Sequence, residues 1–378
     1  MLQDPSATII EHFSELADPR IERARLHPLV NVLTIALCGA ICGADSWVDI
    51  ELFGESKQEW FAKFLDLSNG IPSHDTFGRV FARLDPEQFQ NCFVDWVEAI
   101  CERLPGQVVA IDGKTIRRSH DRTNGKAAIH MVSAWAAENQ LVLGQVKVDD
   151  KSNEITAIPA LLELLDVSGC IITIDAMGCQ TKIAQQIVDQ DADYVLALKG
   201  NQGHTSQDAK TLFEDAAAID FEACAYCRTV NKDHGRIEIR ECWSTADPDY
   251  LKALYKWEQW SGLQSVIKVR SERRLTDKTE KETRYYLSTL PGDDARRLLA
   301  AIRTHWHVEN RLHWVLDVTF REDDSRIRKG HGAQNMAILR HIALNLLKQE
   351  TSSKRSIRGK RLKAGWDERY LVQVLCGC

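Results

Sequence analysis

The spacing of apolar residues changes character near residue 105. Up to that point it is helical. His27–Leu37 is an apolar run that enters Cys38–Gly43, and Trp47–Leu65 follows as an amphipathic stretch. After the turn Ser68-Asn69-Gly70-Ile71-Pro72, the residues Phe77, Val80, Phe81 and Leu84 step i, i+3, i+4, i+7. Ser73 is placed to cap this helix, and Arg79 and Arg83 lie on its other side. Asp85-Pro86 ends it, and Phe89, Phe93 and Trp96 open the next. Residues 1–105 therefore read as a helical N-terminal domain. A helix, a turn and a helix with outward arginines suit a DNA-reading unit. They equally suit a small bundle with solvated arginines.

From Gln107 the apolar residues gather into short runs. Val108–Ile111, Ala127–Ala136 and Leu141–Val148 read as strands, with Glu138-Asn139-Gln140 as a hairpin turn. A helix over Asn153–Leu165, a strand over Ile171–Ile174, a helix over Thr181–Asp189 and a strand over Tyr194–Leu198 follow. This order predicts an antiparallel meander extended by parallel strands through right-handed crossovers. Residues 200–220 read as helical. Four more strands, Ala225–Val230, Ile237–Trp243, Leu263–Arg270 and Arg284–Leu290, form a β-rich segment over 221–290.

A long helix is expected next, Asp293–Asp317, capped by Asp293 or Asp294. Its stripe is Leu298, Ile302, Trp306, Glu309, His313, Leu316 and Phe320. A last helix covers Ala333–Lys348. The expected organisation is a helical domain (1–105), a core in two parts (106–220 and 291–350) separated by the β-rich insertion (221–290), and a basic tail (351–378).

Composition adds three bounds. With 378 residues, 27% charged and 44% hydrophobic, the chain has the make-up of a globular protein of two or three domains. No apolar stretch is read as reaching the ~20 residues of a membrane span, and the N-terminus carries no signal-peptide pattern. Eleven cysteines without a regular framework then suggest reduced thiols in the cytoplasm. The net charge of −6 argues against a nucleic-acid partner until it is mapped: residues 326–363 carry +10 and the rest −16. A basic C-terminal segment of this kind suits a polyanion.

Three acids interrupt apolar patterns. Asp112 ends Val108–Ile111, Asp175 ends Ile171–Ile174, and Glu309 falls in the stripe of the long helix. A carboxylate at the end of a buried strand costs desolvation free energy unless it is compensated. Asp112 and Asp175 are expected at neighbouring strand ends, where like charges repel unless a cation lies between them. Oxygen ligands suit Mg²⁺ or Mn²⁺, and a pair of such ions supports phosphodiester chemistry. A single strand-end Asp can equally be a turn former. Asp317 and the cluster Glu322-Asp323-Asp324 are alternative third acids. Two zinc readings are weaker. His305, Glu309 and His313 step i, i+4, i+8 without a His-Glu-x-x-His motif, and Cys224-Ala-Tyr-Cys227 with His234 and Cys242 is too loosely spaced. Lys199-Gly-Asn-Gln202 stands on the sheet edge where open α/β sheets bind ligands.

Four motifs in order carry a resemblance: Ala110-Ile111-Asp112-Gly113-Lys114-Thr115, Thr173-Ile174-Asp175-Ala176-Met177, Lys199-Gly-Asn-Gln202, and His305-Trp-His-Val-Glu309-Asn-Arg-Leu-His-Trp-Val-Leu-Asp317. His27-Pro-Leu and Pro72-Ser-His-Asp-Thr-Phe77 support it in the N-terminal part. Together they resemble the ISAs-type DDE transposases, the H-repeat-associated proteins of bacterial genomes, over nearly the whole chain. The resemblance implies a ribonuclease H-like mixed sheet with flanking helices, interrupted by a β-rich insertion and preceded by an α-helical domain. It implies Asp112, Asp175 and Glu309 as catalytic and metal-binding triad, with Mg²⁺ or Mn²⁺. The expected activity is cleavage at insertion-sequence ends and strand transfer into double-stranded target DNA by a homodimer in the bacterial cytoplasm, at the nucleoid, with no membrane involved.

Related transposases carry Tyr-x-x-Arg-x-x-x-Glu on the glutamate helix. Here Ile302 and His305 occupy the first two positions, leaving His305, Asn310 and Arg311 as candidates for holding phosphate. The full set of expected DNA contacts is Lys114, Arg117, Lys199, Asn201, Gln202, His305, Asn310, Arg311 and His313 near the acids. In the tail they are Lys354, Arg355, Arg358, Lys360 and Arg361. A structure-specific nuclease of the same fold and a non-catalytic DNA-binding remnant are the competing functions.

Overall fold

The computed structural model describes residues 12–13, 16–102, 104–120, 125–149, 152–233, 235–275 and 277–376. The N-terminal part is helical: α1 (Leu29–Cys42), α2 (Trp47–Ser56), α3 (His74–Arg83) and α4 (Pro86–Ile100). Local signals set their starts. Ser46 and Asp49 form a reciprocal capping box at α2. The Ser73 hydroxyl accepts from the Thr76 N–H, and Asp85 caps α4 with Pro86 at its first position. Phe77, Val80 and Phe81 face the core.

Contrary to the expectation of no membrane-length stretch, Glu22–Cys42 spans 21 residues and holds an 18-residue window with a mean hydropathy of 1.5. In the fold its apolar part is interior. Every residue from Asn31 to Ile41 is buried, and α1 packs on α2 and on three C-terminal helices.

One nine-stranded sheet runs through the molecule in the order β3-β2-β1-β4-β5-β9-β8-β7-β6. β1 (Val108–Thr115), β2 (His130–Ala136) and β3 (Leu141–Lys147) form the expected antiparallel meander. β4 (Ile171–Ile174) runs parallel to β1, and β5 (Asp193–Leu198) parallel to β4. Their crossovers carry α5 (Glu154–Glu163) and α6 (Thr181–Asp189). A helix α7 (Gly203–Ala218) leads to β6 (Ala225–Asp233), β7 (Arg236–Thr245), β8 (Ser265–Arg274) and β9 (Thr279–Ser288). The β-rich segment thus stands before the glutamate helix, and it is not a separate layer. β9 pairs antiparallel with β5 from Val195↔Ser288 to Leu198↔Tyr285, so the four strands prolong the same sheet.

The β3 edge is covered rather than open. Asn345 of α9 (Gly332–Gln349) accepts from the Val142 N–H and donates to the Val142 carbonyl, both at 2.9 Å. On the same helix, Asn335 donates to the Phe81 and Leu84 carbonyls at the end of α3. The N-terminal helices therefore share a core with the sheet through α9.

The segment read as a basic tail is folded through residue 376. α10 (Ile357–Trp366) and α11 (Glu368–Cys376) pack on α1 and α9. Two of its expected DNA contacts lie in the interior. Lys360 donates to the Leu347 carbonyl at 2.8 Å and to the Glu350 carbonyl, and pairs with the Glu350 carboxylate at 3.3 Å. Arg361 donates to the Ala40 carbonyl at 3.0 Å and to the Thr319 carbonyl, pairs with Asp45 at 3.2 Å, and lies over the Phe320 ring. These donors satisfy the carbonyls left open at the ends of α1 and α9. Lys354, Arg355 and Arg358 remain exposed.

Candidate active site

β1 and β4 are paired through Ile111↔Ile174. Asp112 and Asp175 follow at the same level, and registered residues of parallel strands project to one face. The Asp175 side chain accepts from the Met177 N–H at 2.9 Å, which closes the turn after β4. The loop after β5 braces that turn. Gln202 donates to the Ala176 carbonyl at 2.7 Å and to the Cys179 carbonyl at 3.2 Å, and Asn201 donates to the Ala176 carbonyl at 2.8 Å. Both amides are thus engaged in holding the loop, while Lys199 beside them is exposed.

α8 (Ala295–His305), capped by the Asp294 side chain, packs on β1, β4 and β5. His305 anchors it: Nδ1 lies 3.0 Å from Thr173 Oγ1, and burial pushes this imidazole down to about 4. The expected continuous helix does not persist. A π-turn, Glu309–His313, intervenes before the short helix Trp314–Val318. The extra backbone residue moves the stripe. Val308, Leu312 and His313 are buried, whereas Trp306 is 45% exposed and stacks with the Arg284 guanidinium. The Glu309 side chain, 58% exposed, stands at the rim of the core rather than within it.

The outcome is a tight cluster. Donor atoms of Asp112, Glu309 and His313 lie within 4.8 Å of one another. His313 Nδ1 is 3.2 Å from Glu309 Oε2 and 3.7 Å from Asp112 Oδ2. Burial pushes the Asp112 carboxyl up to about 6, with the charges of Asp175 and Glu154 adding to it. His313 and the Gly113 N–H act the other way. Glu309 is held below the usual carboxylate range, chiefly by its hydrogen bond with His313. Oxygen donors whose negative charges destabilise one another are a fitting donor set for a hard divalent cation. Asp112, Asp175 and Glu309 share a cleft of about 1080 Å³ with Lys199, Arg284 and Trp306.

On the opposite face of β1, His130 Nε2 lies 2.7 Å from Glu154. A Cβ at Gly113 would stand 2.2 Å from the Glu154 carboxylate, so the glycine gives this pair its room.

The other expected contacts divide. Lys114 is turned into an acidic cluster, 2.7 Å from Asp317, 3.0 Å from Glu322 and 3.5 Å from Asp323. The alternative third acids are thereby spent on a lysine. Arg117 is exposed and pairs with Asp323 at 3.1 Å. Asn310 donates to the Trp306 carbonyl, and Arg311 is half-buried. A second groove, about 590 Å³, separates α2 and α3 from residues 321–332 and exposes Arg79, Arg326 and Lys329.

The zinc readings find no geometry among the described residues. Cys227 and Cys242 are buried cross-strand partners in β6 and β7, and His234 lies outside the described residues. His305 is held by Thr173 away from the cluster. Thr173, His130 and Glu154 carry no site role in the sequence pattern. Only the polar residue inside the run Ile171–Ile174 hinted at the first.

A large mixed sheet flanked by helices, with carboxylates from two strands and one packed helix meeting in a cleft, defines an α/β protein with a divalent-metal candidate site. Residues 103–346 match the family described as Transposase DDE domain, and residues 10–97 the one described as DDE_Tnp_1-associated. The chain belongs to the DDE transposase family. The H repeat-associated putative transposase YhhI of Escherichia coli strain K12 is 41% identical over 373 residues, 98% of each chain. The Putative transposase YncI of Escherichia coli O157:H7 is 40% identical over 372 residues, 98% of this chain and 95% of its own. An Uncharacterized protein in dhlA 3'region of Xanthobacter autotrophicus is 44% identical over 285 residues, 74% of this chain and 94% of its own.

Proposed function

We propose that this chain cuts DNA at the ends of an insertion sequence and joins the freed 3′-hydroxyl to target DNA, with Asp112, Asp175 and Glu309 as the acidic triad. The observation that carries this reading is the meeting of Asp112 and Glu309 from distant parts of the chain beside the strand end of Asp175. The strand order β3-β2-β1-β4-β5 supports a ribonuclease H-like core. Bound Mg²⁺ or Mn²⁺ supplies charge stabilisation at the phosphodiester and an activated water or hydroxyl.

The protein's own part is positioning, which dominates phosphoryl transfer. The β1–β4 register sets two carboxylates side by side. The Thr173–His305 contact fixes the helix that brings Glu309, and Asn201 with Gln202 holds the loop behind Asp175. Lys199 and Arg284 stand in the same cleft, where they meet backbone phosphates. The DNA is double-stranded, and the protein pairs two ends as a homodimer in the bacterial cytoplasm.

The test replaces Asp112, Asp175 or Glu309 singly with Ala and assays end cleavage with Mg²⁺ or Mn²⁺. Each variant loses cleavage by several orders of magnitude. Full activity in any one of them removes that residue from the triad. Pre-cut ends in a strand-transfer assay separate a transposase from a nuclease, which leaves them unjoined.

A further inference from the structure

The acidic triad leaves one member of the cluster without a task. His313 is buried, with 5% of its side chain exposed, beneath a Glu309 that is largely exposed. It turns Nδ1 to Glu309 Oε2 at 3.2 Å and Asp112 Oδ2 at 3.7 Å, while Nε2 has no hydrogen-bond partner among the described residues. Burying an imidazole with one unpaired nitrogen costs free energy, and its other nitrogen is aimed at two carboxylates.

The spacing suits a cation. Two donors each about 2.1 Å from one ion stand roughly 3.0 Å apart in cis octahedral positions and 3.4 Å apart in tetrahedral ones. The three donors here already lie within 4.8 Å of one another, and His313 Nδ1 stands 3.2 and 3.7 Å from its two neighbours. Glu309 and His313, four residues apart, share one side of the π-turn, and such single turns recur at functional sites.

We propose that His313 Nδ1 is a nitrogen ligand to the divalent cation held by Asp112 and Glu309. This inference rests on the metal-dependent reading of the site. It makes the coordination mixed, two carboxylates and an imidazole, on the cation nearest the helix. A nitrogen donor favours Mn²⁺ over Mg²⁺ and Ca²⁺, which prefer oxygen throughout.

The experiment titrates Mn²⁺ alone into the metal-free full-length protein and follows its electron spin resonance. Electron spin-echo modulation then reports nitrogen nuclei bound to the ion. The wild type shows ¹⁴N modulation that converts to ¹⁵N when histidine is labelled. H204Q, a change at an exposed histidine that does not line the cleft, keeps this signal. H313Q binds Mn²⁺ at least about tenfold more weakly and shows no nitrogen signal. Mn²⁺ bound by the wild type without nitrogen modulation overturns the proposal and leaves the carboxylate site standing. Modulation that survives in H313Q overturns it as well. A wild type that binds no Mn²⁺ overturns both the proposal and the metal reading beneath it. Should H313Q fail to fold, H313N takes its place with the same two outcomes.

Discussion

Asp112 and Asp175 stand at one level of two adjacent parallel strands, one residue past the Ile111–Ile174 pair. Holding Asp112 there costs the metal-free protein stability, chiefly through burial and in lesser part through the Asp175 charge. The Asp112 carboxyl, raised by burial to about 6, is ionised at pH 7.5 at a cost of roughly 2–3 kcal/mol. The sign follows from the direction: a folded value above the unfolded one means that stability is lost as pH rises from about 4 through 6. D112N removes the charge and keeps the acceptor for the Gly113 N–H. Without metal, D112N therefore melts a few degrees higher than the wild type at pH 7.5. With Mn²⁺ added, the order reverses, because only the wild type gains from binding. Thermal melts with and without metal check both halves, and an unchanged metal-free melt would sink the charge argument.

Lys114 is a structural cation, although its place beside Asp112 suggested a phosphate contact. It is the nearest positive charge to Asp317 and Glu322 and reaches Asp323 as well, and Glu322 is buried with Arg340, at 3.7 Å, as a second partner. Removing one side of a buried pair costs about 3–5 kcal/mol. K114M is expected to lower stability by about 3 kcal/mol in urea unfolding while leaving the salt dependence of DNA binding unchanged. A flatter salt slope with wild-type stability would assign Lys114 to the DNA instead.

The contrast shows which parts of the molecule could be read from the chain. β1 to β5 are visible because apolar runs of four to eight residues bounded by turn residues leave few alternatives. Asp112 and Asp175 are visible as charges that end such runs. The pairing of β5 with β9 is not, since it depends on a register between segments far apart in sequence, and local pattern says nothing about which edge receives a new strand. The π-turn is hidden for a related reason. Trp306, Glu309 and His313 fit a regular stripe, yet α8 ends at His305 and a π-turn starts at Glu309, with Trp306 exposed and Glu309 at the rim. Lys360 and Arg361 mislead most, because buried and solvated cations look alike until the carbonyls they satisfy are in place.

His341 gives the fold an acid limit. It is buried in α9, and desolvation pushes its imidazole down to about 4, against an opposing pull from Glu322. A folded value below the unfolded 6.5 means that the folded state binds fewer protons. The stability contribution is complete above pH 6.5 and is lost as pH falls toward 4. Between pH 7.5 and pH 5 this residue accounts for a loss of roughly 2 kcal/mol. H341Q does not titrate, so its unfolding free energy falls by about that much less over the same interval. Urea unfolding of both proteins at the two pH values makes the comparison, and parallel pH profiles would remove His341 from the account.

The basic C-terminal segment separates into cations that hold the fold and cations free to meet DNA. Lys354, Arg355 and Arg358 are exposed, and no acidic partner among the described residues claims them. Lys360 and Arg361 donate to carbonyls in the interior. Each phosphate neutralised contributes about 0.9 to the slope of log affinity against log salt. Replacing the three exposed residues by Ala should therefore flatten the slope by roughly 2 to 3 without changing the melting temperature. R361A should do the reverse, lowering the melting temperature because the Ala40 and Thr319 carbonyls and Asp45 lose their donor. Binding of an end-containing duplex measured across a salt series, paired with a thermal melt, resolves the two classes. If the triple variant keeps the wild-type slope, the DNA runs elsewhere. The groove that exposes Arg79, Arg326 and Lys329 is then the next surface to alter, since it offers exposed cations from both the helical domain and the loop before α9.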